Sequence, residues 1–292
     1  MNNTITDIEK DRLHKKQFLN SIRNLPSIPI VMFEVTKLLD NPMTSTYELG
    51  KIISKDQGLT AKILTVANSP LYGLPRKVSS IEFAIVVLGF DQIKNIVIAL
   101  SMIEAFNGKD KDDWNRRDFW IHSLTTAIGA KRIAEDLGKV KTVEAFTAGL
   151  LHDLGISVIQ RYFNKEFKQI CKLVKETEIS YIDAEQQVLG MTHQDVGQFL
   201  ANRWNLPETL SEAIAFHHNP SECENSKSLT AIVHLADYMT QKVEIGNYAW
   251  DKSYELDESV ITILNLGSQS NLDSMIETYE PLFKNHLETI GV

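Results

Sequence analysis

Side chains that commonly bind metal ions recur through the middle of this sequence, between positions 118 and 237. The series contains five of the eight histidines in the chain, together with three aspartates, on segments whose apolar spacing is helical. Imidazole supplies neutral nitrogen ligands, while a carboxylate supplies negative charge and can bridge two ions. The candidate ligands are Asp118, His122, His152, Asp153, His193, His217, His218 and Asp237. This pattern predicts a buried metal site between facing helices.

Two local spacings support the predicted site. Asp118 and His122 are four residues apart, so they share one face of a helix. His152 and Asp153 are adjacent, about 100° apart around a helix, and therefore cannot share a face. Both can reach one ion from a helix end, or each can contact a different ion of a pair. The adjacent histidines at 217–218 have the same two options.

Helices are expected to carry these ligands, because the sequence has helical apolar spacing and almost no strand pattern. Ser, Thr or Asp residues stand at several predicted N-caps, and Gly89 and Gly138 mark predicted ends. The predicted helices are Tyr47–Ser54, Leu59–Asn68, Ser80–Leu88, one starting at Asp91, Ala145–Leu151, Gln194–Trp204, one that starts at Leu206-Pro207 and ends at the HHNP motif, Leu229–Val243, Ser259–Leu264 and Leu272–His286. The predicted fold class is all-α.

Composition limits the class of protein. The 292 residues are 43% hydrophobic, enough for a sizeable core, and no run approaches the roughly 18 apolar residues of a membrane span. The polar N-terminus is not a secretory signal, and Cys171 and Cys223 form no paired motif, so we expect reduced thiols in a cytoplasmic protein. A net charge of −8 argues against a broad nucleic-acid surface. We expect neither nucleic acid nor membrane as a partner.

Four segments are predicted along the chain. They are an N-terminal helical extension (1–17), an N-terminal helical half (18–107), a helical half with the ligand series (114–243) and a C-terminal helical tail (244–292). The short, polar segment Asn107–Asp113 is the best candidate boundary. In the tail, Gly267–Asn271 is predicted to be a polar loop between two helices. We expect no receiver, sensor or cyclase domain in this sequence, so any input signal would come from another molecule or from a ligand.

Short motifs follow one another in a specific order. They read LPSIP at 25–29, GLTAKIL at 58–64, ANS at 67–69, HDLG at 152–155, WNLP at 204–207 and HHNP at 217–220. With these motifs the sequence resembles the HDOD family, the output-domain branch of the HD superfamily of metal-dependent phosphohydrolases, over roughly 18–238. The resemblance implies an HD-type multi-helix bundle with an N-terminal helical subdomain. It also implies a bacterial signalling role, usually through contacts with other proteins, and many members have lost metal ligands.

The ligand series is similar to that of the HD-GYP branch, the cyclic di-GMP phosphodiesterases. Asp118 stands where that branch often places a glutamate ligand, and the other seven candidates stand where it places its remaining ligands. The resemblance implies one or two transition ions, with iron, manganese and zinc the candidates. His122, His152, Asp153 and Asp237 would form the core set, with Asp153 bridging to a second set of His193, His217 and His218, for which Asp118 is a further candidate.

The sequence departs from the HD-GYP pattern in its catalytic accessories. The phosphate-binding lysine usual after the HD pair is Ile156 here, and the GYP run is replaced by NPSE at 219–222. We therefore expect a signal-transduction output or adaptor protein that contacts other signalling proteins and retains an HD-type metal centre. The alternative is a metal-dependent phosphohydrolase acting on a nucleotide or cyclic dinucleotide.

Several of these sequence features also have a simpler structural explanation. The ligand series can also be a vestigial polar network held together by hydrogen bonds. His234 and His286 are expected to be hydrogen-bonded core residues, and His14 an exposed one. Trp114, Phe119 and Trp120 are expected to fill the core, and the acidic tail to be a solvated face.

One motif suggests DNA binding. The segment 47–68 has the form of a helix-turn-helix, with Lys62 and Asn68 as the candidate base-reading side chains. The acidic chain makes this alternative the weaker one.

Overall fold

The computed structural model describes residues 43–68, 74–94, 116–242 and 255–290, with single positions at 34, 35, 38, 41, 96, 97, 100 and 250. These residues form helices and no strand, which confirms the predicted all-α class. In chain order the α-helices are α1 (Thr46–Ile53), α2 (Gln57–Ala67), α3 (Ile81–Leu88), α4 (Arg116–Leu137), α5 (Thr142–Leu151), α6 (Leu154–Tyr162), α7 (Asn164–Thr177), α8 (Tyr181–Leu189), α9 (His193–Arg203), α10 (Glu208–Phe216), α11 (Lys227–Lys242), α12 (Ser259–Ile263) and α13 (Gln269–Ile290).

Some predictions fall outside the described residues. They concern the extension 1–17, His14, the LPSIP motif, the boundary Asn107–Asp113, Trp114 and the side chain of His286. The four-segment division of the chain therefore stays a prediction.

The predicted capping residues set the helix starts. The side chains of Ser45, Asp56, Ser80 and Thr192 each accept a hydrogen bond from the backbone N–H three residues further on, as expected of N-caps. Gly138, at φ 63°, ends α4 as predicted. The predicted loop at 267–271 was wrong at its end, because α13 already begins at Gln269. The Ser268 hydroxyl accepts a hydrogen bond from the backbone N–H of Asn271 at 3.3 Å, as an N-cap does, so the helix starts directly after Ser268.

The two helices of the predicted helix-turn-helix are present as α1 and α2. Both candidate base-reading side chains make contacts within the chain. The Asn68 amide donates to the carbonyls of Leu64 (2.8 Å) and Val78 (2.7 Å). The ammonium of Lys62 lies 5.4 Å from the ring centroid of Trp120. These side chains therefore connect parts of the fold to one another.

The core runs through both halves of the molecule. One apolar cluster joins α1, α2 and α3 to Phe119 on α4 and to α5, α6 and α9, which confirms Phe119 as a core residue. A second cluster lies between α4, α11 and α13, where the Phe283 ring packs against Gly129. Within the ligand-bearing half, α4 packs against α5 and α11, and α9 packs against α6 and α10. The predicted ligands lie on or beside these six helices.

One stretch, Thr142–Tyr162, is long and apolar enough to cross a membrane by length and composition alone. It consists of α5, a turn and α6, and 83% of its apolar window is buried inside the molecule. Buried core helices have the same composition, so this stretch is accounted for by the core.

Candidate metal centre

Seven of the eight predicted ligands converge in the structure. They come from α4, the turn between α5 and α6, the first residue of α9, the turn after α10, and α11. They form two neighbouring groups, and within each group the potential donor atoms lie within 4.8 Å of one another. The first group is His122, His152 and Asp237; the second is Asp153, His193, His217 and His218.

The carboxylate of Asp153 lies between the two groups. Its Oδ2 is 3.4 Å from His122 Nε2 and 3.3 Å from His152 Nε2. Its Oδ1 is 3.6 Å from His193 Nε2 and 3.5 Å from His217 Nε2. Each oxygen therefore faces a different group, which is the geometry of a carboxylate that bridges two ions.

A turn between two helices lets the adjacent residues His152 and Asp153 contribute to different groups. Helix α5 ends at Leu151 and α6 begins at Leu154, so the pair lies in the turn between them. The close approach of α6 to α9 then brings His193 to Asp153. That approach requires Gly155, where a Cβ would overlap the carbonyl oxygen of His193.

Hydrogen bonds fix the orientation of three imidazoles. His152 Nδ1 donates to the Gly149 carbonyl at 2.7 Å, and His217 Nδ1 donates to the Ile214 carbonyl at 2.8 Å. His193 Nδ1 donates to the Glu185 carboxylate at 2.9 Å. With its proton on Nδ1, a neutral imidazole directs the Nε2 lone pair towards the two groups.

The convergence of these nitrogen atoms fits a bound cation. Nε2–Nε2 distances are 3.2 Å for His122–His152, 3.3 Å for His193–His217 and 3.1 Å for His193–His218. Lone pairs this close repel one another unless a proton or cation lies between them. Within the described part of the chain, the buried Oδ2 of Asp237 accepts no hydrogen bond. The donor set of imidazole and carboxylate suits iron, manganese or zinc.

The histidine pKa values shift in opposite directions in the two groups, as His152 and His217 illustrate. Burial opposes a charge on His152, but the carboxylates of Asp153 and Asp237 outweigh burial and raise its pKa well above the usual value. Burial raises the pKa of Asp237, yet the neighbouring His152 and His122 bring it well below the usual value. Burial lowers the pKa of His217 to about 4. His217 is therefore neutral near pH 7, which is the form that binds a metal ion.

Asp118 lies outside both groups. It is buried on α4, one turn before His122, which places it about 6 Å further along the helix axis. A helix face shared with His122 was therefore not enough to place Asp118 in either group. Ile156, at the position of the lysine in the resemblance, is fully buried in the core on α6.

Sequence reasoning missed Glu185, a fully buried residue on α8 that bonds His193. His234 was predicted to be a hydrogen-bonded core residue, and this is confirmed. Its Nδ1 donates to the His217 carbonyl at 2.7 Å, and its Nε2 accepts from the Asp257 amide at 2.8 Å.

Comparisons with known proteins agree with this architecture. The HDOD domain family model matches residues 25–220. The crystal structure of an HDOD domain protein with unknown function from Geobacter sulfurreducens has a TM-score of 0.76 and 29% identity, and covers 98% of this chain and 100% of that chain.

Two further crystal structures share the fold. A candidate phosphohydrolase from Shewanella amazonensis SB2B has a TM-score of 0.70 and 21% identity, covering 95% of this chain and 98% of that one. A candidate signal transduction protein from Marinobacter aquaeolei VT8 has a TM-score of 0.71 and 21% identity, covering 99% and 67%. At these identities the likeness concerns the fold alone.

Among curated proteins, an uncharacterized protein from Treponema pallidum (strain Nichols) is 24% identical over 265 residues, which is 90% of this chain. The match covers 50% of that protein, so the chain spans about half the length of its curated relative.

Proposed function

We propose that this chain, which belongs to the HDOD domain family, is a signal-transduction output or adaptor protein whose metal centre holds the fold together rather than turning over a substrate. The observation that carries the proposal is the burial of the donor side chains. Five of the seven in the two groups have no exposed surface, and the most exposed, His218, is 6% accessible. A catalytic ion needs an open position for water and substrate.

The surroundings of the two groups support the same conclusion. Phosphoryl substrates carry negative charge and are usually met by a lysine or arginine close to the ions. The resemblance places such a lysine at Ile156, and that position is an apolar core residue of α6. A bound ion would supply positive charge to a cluster of carboxylates and imidazoles from α4, the α5–α6 turn, α9, the turn after α10, and α11, and so would stabilise the packing of these elements.

The surface of the N-terminal half supports a role in protein contacts. The large apolar side chains exposed in the described part of the chain are Met43, Tyr47, Phe83 and Val86, on or just before α1 and α3. Helices α1 and α3 pack against each other, so these side chains lie on or beside neighbouring helices. Grouped exposed apolar side chains are typical of interaction sites.

Metal content and thermal stability test the metal centre. Protein purified without a polyhistidine tag should contain a stoichiometric transition ion, and a chelator should lower its Tm, because an ion that binds only the folded state stabilises it. His152→Ala should lose the ion. An untagged protein without a transition ion, whose Tm also ignores the chelator and added manganese, iron or zinc, would contradict this part of the proposal.

Capture of signalling proteins from a bacterial lysate tests the adaptor role. Val86→Lys, which places a charge in the exposed apolar region, should abolish capture of partners that the wild type retains. Glu176→Lys on α7 adds a lysine at another exposed position and should leave capture unchanged. Equal capture by all three proteins would show that the α1–α3 region is not the contact surface.

The position of Asp153 favours a second candidate function, that of a phosphohydrolase. A carboxylate between two ion groups is typical of two-metal sites, in which bound ions activate water and polarise a phosphoryl oxygen. In this chain Asp153 would hold both ions, and the Nδ1–H bonds of His152 and His217 would keep their Nε2 atoms directed at them.

A nucleotide screen decides between the two functions. Mono-, di- and cyclic dinucleotides are assayed with manganese or iron, beside the double variant His152→Ala/Asp153→Ala. Turnover that the double variant abolishes would favour the phosphohydrolase over the adaptor. Turnover that survives in it would come from a contaminant, and absence of turnover in the wild type supports the adaptor.

A further inference from the structure

Glu185 is a buried carboxylate outside the two ion groups. Its side chain on α8 has no exposed surface. A buried charge is costly unless hydrogen-bond donors surround it, and three N–H groups do so here. The His193 amide lies 2.7 Å from Oε2, His193 Nδ1 lies 2.9 Å from Oε2, and the indole Nε1 of Trp250 lies 2.8 Å from Oε1.

Two of these bonds hold one ligand of the second group. Glu185 binds both the backbone and the ring of His193, the first residue of α9. The bond to Nδ1 leaves Nε2 directed at the group, 3.3 Å from His217 Nε2. A carboxylate behind a histidine ligand also increases its basicity, and loss of such a partner typically costs 10–100-fold in metal affinity.

The third bond comes from a distant part of the chain. Trp250 lies beyond the end of α11 and beyond the family match that ends at residue 220. Its ring is stacked between Phe167 of α7, at a centroid distance of 4.8 Å, and Tyr181 of α8, at 4.2 Å. Only 2% of Trp250 is exposed. This stacking fixes the indole N–H towards Glu185.

A separate contact links the same C-terminal part of the chain to a second ligand. The Asp257 amide donates to Nε2 of His234, whose Nδ1 donates to the carbonyl of His217. Two residues after α11 therefore contact the ligands indirectly. Trp250 is linked to His193 by Glu185, and Asp257 is linked to His217 by His234. Both of these histidines belong to the group that contains Asp153 and His218.

We propose that Glu185 is a positioning residue for His193 and that Trp250 completes its hydrogen bonding, so that ion binding by the second group and docking of Trp250 favour each other. The inference rests on the metal centre of the proposed function. Because such coupling is reciprocal, loss of the Trp250 contact weakens ion binding, and loss of the ion weakens the Trp250 contact.

Two variants and a matched control test the coupling, with ion affinity measured by competition against a chelator of known affinity. Glu185→Gln removes the charge and should weaken zinc or manganese binding by about 10–100-fold. Trp250→Phe keeps a ring between Phe167 and Tyr181 but loses the N–H, and should weaken binding by about tenfold. Trp204→Phe, at the other end of α9, should bind as the wild type does.

Fluorescence supplies the reciprocal measurement. Chelation should shift the tryptophan emission of the wild type and of Trp204→Phe to longer wavelength, and this change should be absent in Trp250→Phe. If Glu185→Gln does not fold, as judged by circular dichroism, Trp250→Phe decides alone. A wild type that binds ions while both variants match the control would overturn this inference only. A wild type that binds no ion would overturn it together with the metal centre.

Discussion

Replacement of Gly155 by alanine should destabilise the protein and the metal centre together. A Cβ at this position overlaps the carbonyl oxygen of His193 and lies 2.7 Å from its carbonyl carbon and 3.0 Å from the amide nitrogen of Gly197. All three are backbone atoms, so no side-chain rotation relieves the overlap. Helices α6 and α9 must move apart, by at least the 0.7 Å that separates 2.7 Å from an ordinary contact of 3.4 Å.

The size of the effect follows from the cost of overpacking. Extra methyl groups in a packed core typically cost about 1–3 kcal/mol, and a clash with rigid backbone belongs at the upper end of that range. A loss of about 3 kcal/mol corresponds to a Tm decrease of roughly 6–12 °C for a domain of this size. Separation of α6 from α9 also moves Asp153 away from His193, now 3.6 Å apart between Oδ1 and Nε2, so ion affinity should fall as well.

Gly50→Ala provides the matched control for differential scanning calorimetry and ion titration. Its Cβ would lie 2.9 Å from Oε1 of Glu82, the flexible end of a side chain that can rotate away. Gly50 lies within α1, where alanine is the better helix former by about 1 kcal/mol. The stability of the protein should therefore stay equal or rise. A Gly155→Ala variant as stable as the wild type, or an equal loss in both variants, would refute the close-approach argument.

Three further measurements test other parts of the structure. Thr192→Ala removes the N-cap of α9, whose hydroxyl accepts from the Asp195 amide at 3.3 Å, and urea denaturation should show a loss of about 1 kcal/mol. Phe283→Ala should cost about 3–5 kcal/mol in the same assay, because the fully buried ring packs on Gly129 and leaves a cavity. Burial lowers the pKa of His234 below its usual 6.5, so the unfolded chain takes up the proton first and this residue's contribution to stability declines as the pH falls below that value. An NMR titration of the His234 ring should give a pKa below 6.5, with the neutral imidazole protonated at Nδ1, and a pKa at or above 6.5 would contradict the assignment.

The helices were predictable because their signals are local. Apolar spacing, N-cap side chains such as Ser45 and Thr192, and the left-handed Gly138 act within a few residues of the chain. The types of the ligands and their order along the chain were also visible in the sequence, because the histidines and aspartates recur in a series and the motifs around several of them are similar to those of one family. The start of α13 was misplaced because Ser268 and Gly267 suit a loop and an N-cap equally well.

The tertiary structure alone decided how the ligands are grouped. Helical periodicity states which side chains share a face, but not which helices face one another. Asp118 shares a face with His122 and still lies outside both groups, whereas Asp153 is shared between them. Glu185 was invisible in the sequence for the same reason. On an amphipathic helix it resembles any solvated glutamate, and its partners His193 and Trp250 are 8 and 65 residues away. The sequence by itself determined the helices and the chemistry of the donors, while the packing of α6 against α9 and of Trp250 beside α8 decided which donors meet, because long-range contacts leave no periodic trace in the chain.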